Sequence, residues 1–324
     1  MISVIVPAYN AEKTLGASLE SLLNQTYKDL NIIIVDDASS DKTREIGAQY
    51  ASQFSNIHIY SKANEGISAA RNFGLSKVET EYFGFLDSDD IAEPTMFEKL
   101  YQSAKENDSD LVVCGFWWQY PNRSLEKIEG PYQSGKEMLN SCVATLWNKL
   151  YRTDFIKKLP LKFPFGYRYE DAYFLYCLTP YKPKLSFVLE PFVHYMQREG
   201  SITHLNNEKV KDMIHVFNAI LEFYQQNGFY DAYKVDLEYL FTRFFLGNSF
   251  LRALQIEDKK LRNEVSDLSY NFLNEVFPQW RRNELLKKGG LKNLYFRSIN
   301  GFTLPFYKVV LRIYANHKQS QLYK

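Results

Sequence analysis

Five aspartates stand where two apolar runs stop. Residues 82–90 read YFGFLDSDD and end on Asp87, Asp89 and Asp90, while residues 31–37 read NIIIVDD and end on Asp36 and Asp37. On an extended backbone Asp87 and Asp89 point to the same side. Carboxylates so placed repel and raise one another's pKa unless a cation lies between them. A hard divalent ion such as Mg²⁺, held by one or two carboxylates and by substrate phosphates, suits that chemistry; an acidic turn is the plainer alternative. Asn64-Glu65-Gly66 adds a glycine at a turn, and Ala69-Ala70-Arg71-Asn72 an arginine on a helix. Arg71 either makes a charge-assisted bond to a carboxylate or phosphate or a surface ion pair. No strand is followed by GxGxxG or by GxxxxGK with Ser or Thr, which removes the usual dinucleotide and P-loop classes.

Acids arranged this way need a sheet edge to carry them. Short apolar runs at 3–6, 31–35, 57–60, 82–86 and 110–116 alternate with helical patterns, one with Leu15, Leu19, Leu22 and Leu23 on a face and Asn10 as its cap, another at 66–76, another at 94–106. Such alternation predicts an α/β fold, a mostly parallel sheet covered on both faces, with ligands outside the carboxyl ends of its strands. Beyond residue 117 the regularity fades: an irregular or hairpin insert at 118–133, short helices at 134–158, an aromatic loop at 161–169, a helix opening at Glu170, and two strands at 185–188 and 192–195. From 207 on the period is helical, with Val210, Ile214, Phe217, Ile220, Leu221 and Tyr224 on one face. The expected division is therefore a catalytic domain at 1–205 and a helical accessory domain at 206–324.

The net charge of +1 points to no polyanion and no nucleic acid, but its distribution is uneven. Residues 1–204 hold 21 basic against 26 acidic side chains, residues 205–324 hold 18 against 12, and residues 279–324 hold 10 against one. An anionic partner for the tail follows from that asymmetry. Cys114, Cys142 and Cys177 form no CxxC pair, Cys114 and Cys177 read as small core residues, and the odd count points to a reducing compartment. No apolar run nears the ~18–20 residues that span a bilayer. A cytoplasmic chain, at most peripheral at the inner face of the membrane, is expected.

The segments VIVPAYN (4–10), SLLNQTYKDLNIIIVDDASSDKT (21–43), NEGISAARNFGL (64–75), YFGFLDSDD (82–90), WNKLYR (147–152) and YEDAYF (169–174) come in an order and spacing that resemble the family-2 inverting glycosyltransferases of the GT-A fold. The resemblance covers about residues 1–200 and not the tail. It implies a UDP-sugar donor, a glycan or polymer acceptor, and Mn²⁺ or Mg²⁺. Pro7, Tyr9 and Asn10 would line the nucleotide pocket, with Asp37 on the uracil and Asp36 close by. Asn64 and Arg71 would lie near the base or diphosphate, Asp87 and its neighbour Ser88 at the ribose, and Asp89 on the metal. Asp171 matches the base that takes the acceptor proton, and Glu170 assists it. His194 is either a further metal ligand or a structural residue among aromatics. Arg198 and Ser201 would close over the diphosphate, Lys149 would reach a phosphate, Trp147 would stack on a sugar or fill core, and Tyr169 would flank the sugar site. A non-catalytic relative of the same fold, and a nucleotidyltransferase, are the competing readings; the second should carry a glycine-rich basic loop after the first strand, where this chain has PAYNAEKTLG.

In the tail, Phe306, Val309, Val310, Ile313 and Tyr314 share one helical face. That face would lie in an anionic membrane surface, or pack on the tail's own helices or on a second subunit.

Overall fold

The computed structural model describes residues 1–197 and 207–322. Two compact units emerge: Met1–Gly135, Ser141–Gly166 and Glu170–Gln197 form the first, while Lys136–Asn140, Tyr167–Tyr169 and the described chain from 207 onward form the second.

The first unit opens with a regular alternation: β1 (Ile2–Ala8), α1 (Leu15–Leu23), β2 (Leu30–Asp36), α2 (Thr43–Gln53), β3 (Ile57–Ser61), α3 (Ile67–Ser76) and β4 (Tyr82–Phe85). Next come β5 (Ile91–Ala92), α4 (Met96–Glu106), β6 (Leu111–Tyr120) and β7 (Arg123–Lys127). After α5 (Gly135–Ser141) follow β8 (Lys149–Arg152), α6 (Thr153–Lys157), α7 (Glu170–Leu178) and β9 (Leu185–Met196). The strands make one sheet in the order β3-β2-β1-β4-β8-β6-β9-β5, with β7 paired to β6. Its first four strands are parallel, whereas β8 runs antiparallel to both β4 and β6.

All seven residues of β1 are buried, as a central parallel strand requires. Helix α3 lies close against it: a Cβ on Gly74 would come within 2.4 Å of Ile5 Cγ2. The sheet is thus mixed rather than mostly parallel. The reason is β8, where short helices were expected. A four-residue segment is too short to show its period, and the slot between β4 and β6 buries Lys149, Leu150 and Tyr151 completely. The insert after residue 117 is a hairpin, β6 continuing past Phe116 to turn into β7. The two strands expected after Leu185 are one, which passes Pro191 through a register shift opposite Gly115. Asn10 does not cap α1, which starts at Leu15; it sits in a left-handed turn at φ 49°.

The second unit holds α8 (Asp212–Gln226), α9 (Tyr230–Arg243), a π-helical turn (Phe244–Asn248), α10 (Ser249–Leu254), α11 (Lys259–Val276), α12 (Leu291–Ser298) and α13 (Leu304–Leu322). Phe217 gathers Phe241, Phe244 and Phe245 at centroid distances of 5.0, 4.6 and 5.2 Å. The buried face of α8 is rotated from the expected one, with Met213, Val216 and Phe223 inside and Ile214 and Leu221 only half-buried. Among the described residues no helix is long and apolar enough to cross a membrane.

Candidate active site

In the strand order β3-β2-β1-β4 the strands are added outward in one direction from β1 to β3 and then, with β4, on the other side of β1, so the order switches between β1 and β4. A crevice outside the carboxyl ends of the strands belongs at such a point. The residues delivered there are Pro7, Tyr9 and Asn10 from β1, Asp36 and Asp37 from β2, and Asp87 from the end of β4. Pro7 is buried, while Tyr9 is 53% exposed and offers its ring at the edge. Asn10 is tied to the loop after β2: its N–H donates to Ser39 Oγ at 3.0 Å and its Oδ1 accepts the Ser40 N–H at 2.9 Å.

Asp36 is buried and accepts the Ser39 N–H at 3.1 Å. Asp37 does more. Its Oδ1 accepts Lys62 Nζ at 2.9 Å and the Glu65 N–H at 3.1 Å, and its Oδ2 accepts the Gly66 N–H at 2.8 Å. Gly66 has φ +88°, a conformation that suits glycine, and its amide opens α3. Asp37 therefore supplies from β2 the acceptor that an N-cap side chain would give locally, and it complements the helix dipole. Asn64, just before, is exposed.

Arg71 on α3 is 4% exposed and joins two acids. One guanidinium nitrogen donates to Asp87 Oδ1 at 2.9 Å and the other to Glu170 Oε1. Phe163 lies beneath the guanidinium at 5.8 Å. Burial opposes the charge on Arg71, yet the carboxylates of Asp87, Glu170 and Asp171 outweigh it and keep the cation firmly protonated. The arginine thus links the end of β4 to the first turn of α7, 99 residues away from it in sequence.

Asp171, next to Glu170, behaves differently. Burial of its carboxyl first, and the charge of Glu170 second, push its pKa up from the usual 3.8 to about 7, against the pull of Arg71 and of the Ala172 N–H at 2.7 Å. A carboxylate with that pKa can accept a proton near neutrality, as a general base must.

After β4 the three acids separate in role. Asp90 is fully buried and its Oδ1 accepts the Met196 N–H at 2.9 Å, which fastens the end of β9. Asp87, Ser88 and Asp89 remain partly exposed. His194 lies on β9 opposite Ile91, two residues beyond Asp89. Its ring is stacked 4.6 Å from Trp117, with Nε2 at 2.6 Å from Glu93 Oε1 and Nδ1 at 3.3 Å from Gln119 Oε1. Among the described residues no three His, Cys, Asp or Glu side chains converge as a metal-holding group. The partly exposed Asp89 is nonetheless an oxygen donor of the hard type that a divalent ion shared with a diphosphate takes.

Two residues of WNKLYR are placed otherwise than as donor contacts. Lys149 is fully buried, its ammonium 2.9 Å from both Thr145 O and Asn148 Oδ1 and 3.3 Å from Glu129 Oε1, so it does not reach out to a phosphate. Trp147 is 3% exposed, its ring covered by Phe116 at 4.8 Å and Tyr195 at 5.2 Å; it fills core. Tyr169 belongs to the second unit, where Arg252 lies over its ring at 5.4 Å. Arg198 and Ser201 lie outside the described residues. Sequence reasoning missed Lys62, Glu93, Trp117, Gln119 and Glu129, each of which acts through a partner far along the chain.

A sheet that presents acids at the carboxyl edge of its switch point, with a helical region after it, is the GT-A arrangement of sugar-nucleotide enzymes. Residues 3–169 match the family described as "Glycosyl transferase family 2", and the chain belongs to that family and is a glycosyltransferase. It is 30% identical over 258 residues to "Uncharacterized glycosyltransferase EpsJ" of Bacillus subtilis, covering 75% of each chain. It is 32% identical over 298 residues to the "Cholesterol galactosyltransferase" of Borreliella burgdorferi, covering 85% of this chain and 83% of the other. Among solved structures, S. aureus TarS 1-349 in complex with UDP-GlcNAc superposes with a TM-score of 0.56 at 22% identity, covering 100% of this chain and 93% of TarS.

Proposed function

We propose that the chain is an inverting, metal-dependent glycosyltransferase that moves a hexosyl or N-acetylhexosaminyl group from a UDP-sugar to a hydroxyl of a glycan, a lipid-linked oligosaccharide, a wall polymer or a glycoprotein. The observation that carries the reading is the Arg71 bridge between Asp87 and Glu170, with Asp171 beside it, its carboxyl pushed up in pKa by burial and by the charge of Glu170. It joins the donor-binding edge to a base matched to its task. TarS with its bound UDP-GlcNAc supports the choice of uridine nucleotide. The mannosyltransferase PcManGT, with GDP-Man and Mn²⁺ and a TM-score of 0.50, supports the use of a metal. Relatives that include "Minor teichoic acid biosynthesis protein GgaB" support a cell-surface acceptor.

In this reading Tyr9, Asn10 and Pro7 bound the nucleotide, and Asp37, already held by Lys62 and two amides, offers its remaining acceptor capacity to the uracil. Asp36 stiffens the loop behind it. Asn64 and Ser88 lie at the rim, and Asp87 takes the ribose. Arg71 positions Asp87 and Glu170 rather than meeting the donor itself. Asp89 would hold the divalent ion, with His194 able to join only by giving up Glu93. The ion's contribution is to neutralise the leaving diphosphate as a Lewis acid. Asp171 removes the acceptor hydroxyl proton as that oxygen bonds to the anomeric carbon and the bond to UDP breaks on the opposite face, which inverts the configuration. Catalysis on the cytoplasmic side, with the basic tail drawn to an anionic surface, completes the proposal.

The test is Asp89→Ala with a panel of UDP-sugars and Mn²⁺ or Mg²⁺. Transfer and metal-dependent UDP binding should be lost while the far-ultraviolet circular dichroism is kept. Full activity of the variant, or of the wild type in excess chelator, would remove the metal from the proposal.

A further inference from the structure

Helix α13 is turned inside out. Its outward face carries Phe306, Val309, Val310, Ile313 and Tyr314 at 63%, 61%, 41%, 65% and 54% exposure, and Phe302 just before it is 98% exposed. Its inward side holds Leu304, Ala315 and the Lys308 ammonium, 2.6 Å from Asp267 on α11. A helix of a monomeric domain normally buries its apolar stripe. Here an ion pair and a ring contact between Tyr307 and Tyr295, 4.9 Å apart, hold the helix with that stripe facing out. The tail's own helices do not cover it. Contiguous exposed apolar surface of this kind marks a contact with a partner or a membrane.

The charge of the segment that carries the stripe selects between occupants. Residues 279–324 carry 10 basic side chains and one acid. Of these, Arg282, Lys287, Lys288, Lys292 and Arg297 are exposed, whereas Arg281 is engaged with Tyr270, Ile299 and the Trp280 ring. A second copy would bring the same positive region against itself. An anionic lipid surface instead attracts it, while the stripe enters the headgroup boundary. We propose that α13 is an interfacial anchor: the stripe from Phe302 to Tyr314 inserts into the surface of an anionic bilayer and the exposed lysines and arginines of the same segment, 279–324, hold it there. The proposal sharpens the tail's role given above, and it is tested without the donor so that it stands or falls apart from the sugar-transfer reading.

The experiment is co-sedimentation of the full-length protein with phosphatidylcholine vesicles and with vesicles containing phosphatidylglycerol, at low and high salt. Variants are Phe306→Ser/Val309→Ser/Ile313→Ser and Lys287→Gln/Lys288→Gln/Lys292→Gln/Arg297→Gln. UDP binding and sedimentation velocity are measured alongside. The wild type should pellet with anionic vesicles only, and both variants should lose at least about tenfold in partition while UDP affinity stays unchanged. Retained binding by the serine variant overturns insertion, as does absence of binding by the wild type. A wild-type dimer that the serine variant converts to monomer also overturns it, because a second copy then covers the stripe.

Discussion

Asp171 is the residue whose chemistry can be read most directly. Asp171→Asn keeps the volume and removes the carboxylate proposed as the base, so turnover should fall by about 10²–10⁴-fold while UDP and metal affinity persist in titration calorimetry. For the wild type, kcat/KM should rise with pH through about 7, the value to which burial and Glu170 push this carboxyl. Stability runs the other way. Between the ordinary value of 3.8 and about 7 the folded protein keeps a proton that the unfolded chain has lost. Stability therefore declines as pH rises across that window, and Asp171→Asn should flatten the slope seen in denaturant titrations from pH 4 to 8. The position of Asp171 was legible from YEDAYF; its environment was not. What surrounds it, Arg71 included, comes from segments that nothing in one sequence pairs with it. The same holds for Lys149, whose counter-charge Glu129 lies 20 residues upstream in a stretch read as an irregular or hairpin insert.

Among elements, the first four strands were plain because each is a short apolar run, two of which, β2 and β4, end at acids. Strand β8 was not, since four residues carry no period and its neighbours in the sheet decide its state. The start of α3 was read to within a residue, at 66 against Ile67, but what caps it was hidden. Its N-terminus is capped from across the sheet edge by Asp37, 29 residues before Gly66, so no local capping pattern announces it. Helix α3 also makes a prediction. Gly74→Ala forces a methyl to within 2.4 Å of Ile5 Cγ2, and overpacking of this kind costs about 1–3 kcal/mol. The variant should melt several degrees lower while its KM for the donor changes little, because the residue faces β1 and not the carboxyl edge. An unchanged melting temperature would mean that the helix can shift away from the strand freely.

At the scale of the whole molecule, the chain carries two cores, one around the sheet and one around Phe217 and its neighbours. The break in periodicity near residue 207 was visible in the sequence; that 136–140 and 167–169 belong with the later unit was not, because those pieces are too short to show a face. Calorimetry should resolve two transitions. UDP with Mn²⁺ at about 100 times its dissociation constant should stabilise the unit that binds it by about 2.7 kcal/mol, moving one transition and leaving the other. A single transition that moves as a whole would show that the two melt together.

The three cysteines bring a practical consequence. Cys114, Cys142 and Cys177 are all buried, and burial pushes the thiols of Cys114 and Cys177 well above their ordinary value. Such thiols are silent toward maleimides. The native protein should titrate no fast sulfhydryl with Ellman's reagent, and all three only after denaturation. The wild-type chain is thereby a clean background for site-specific labelling. One cysteine introduced at Phe306 or Tyr314 would carry a single fluorophore, and its emission would report directly what α13 touches.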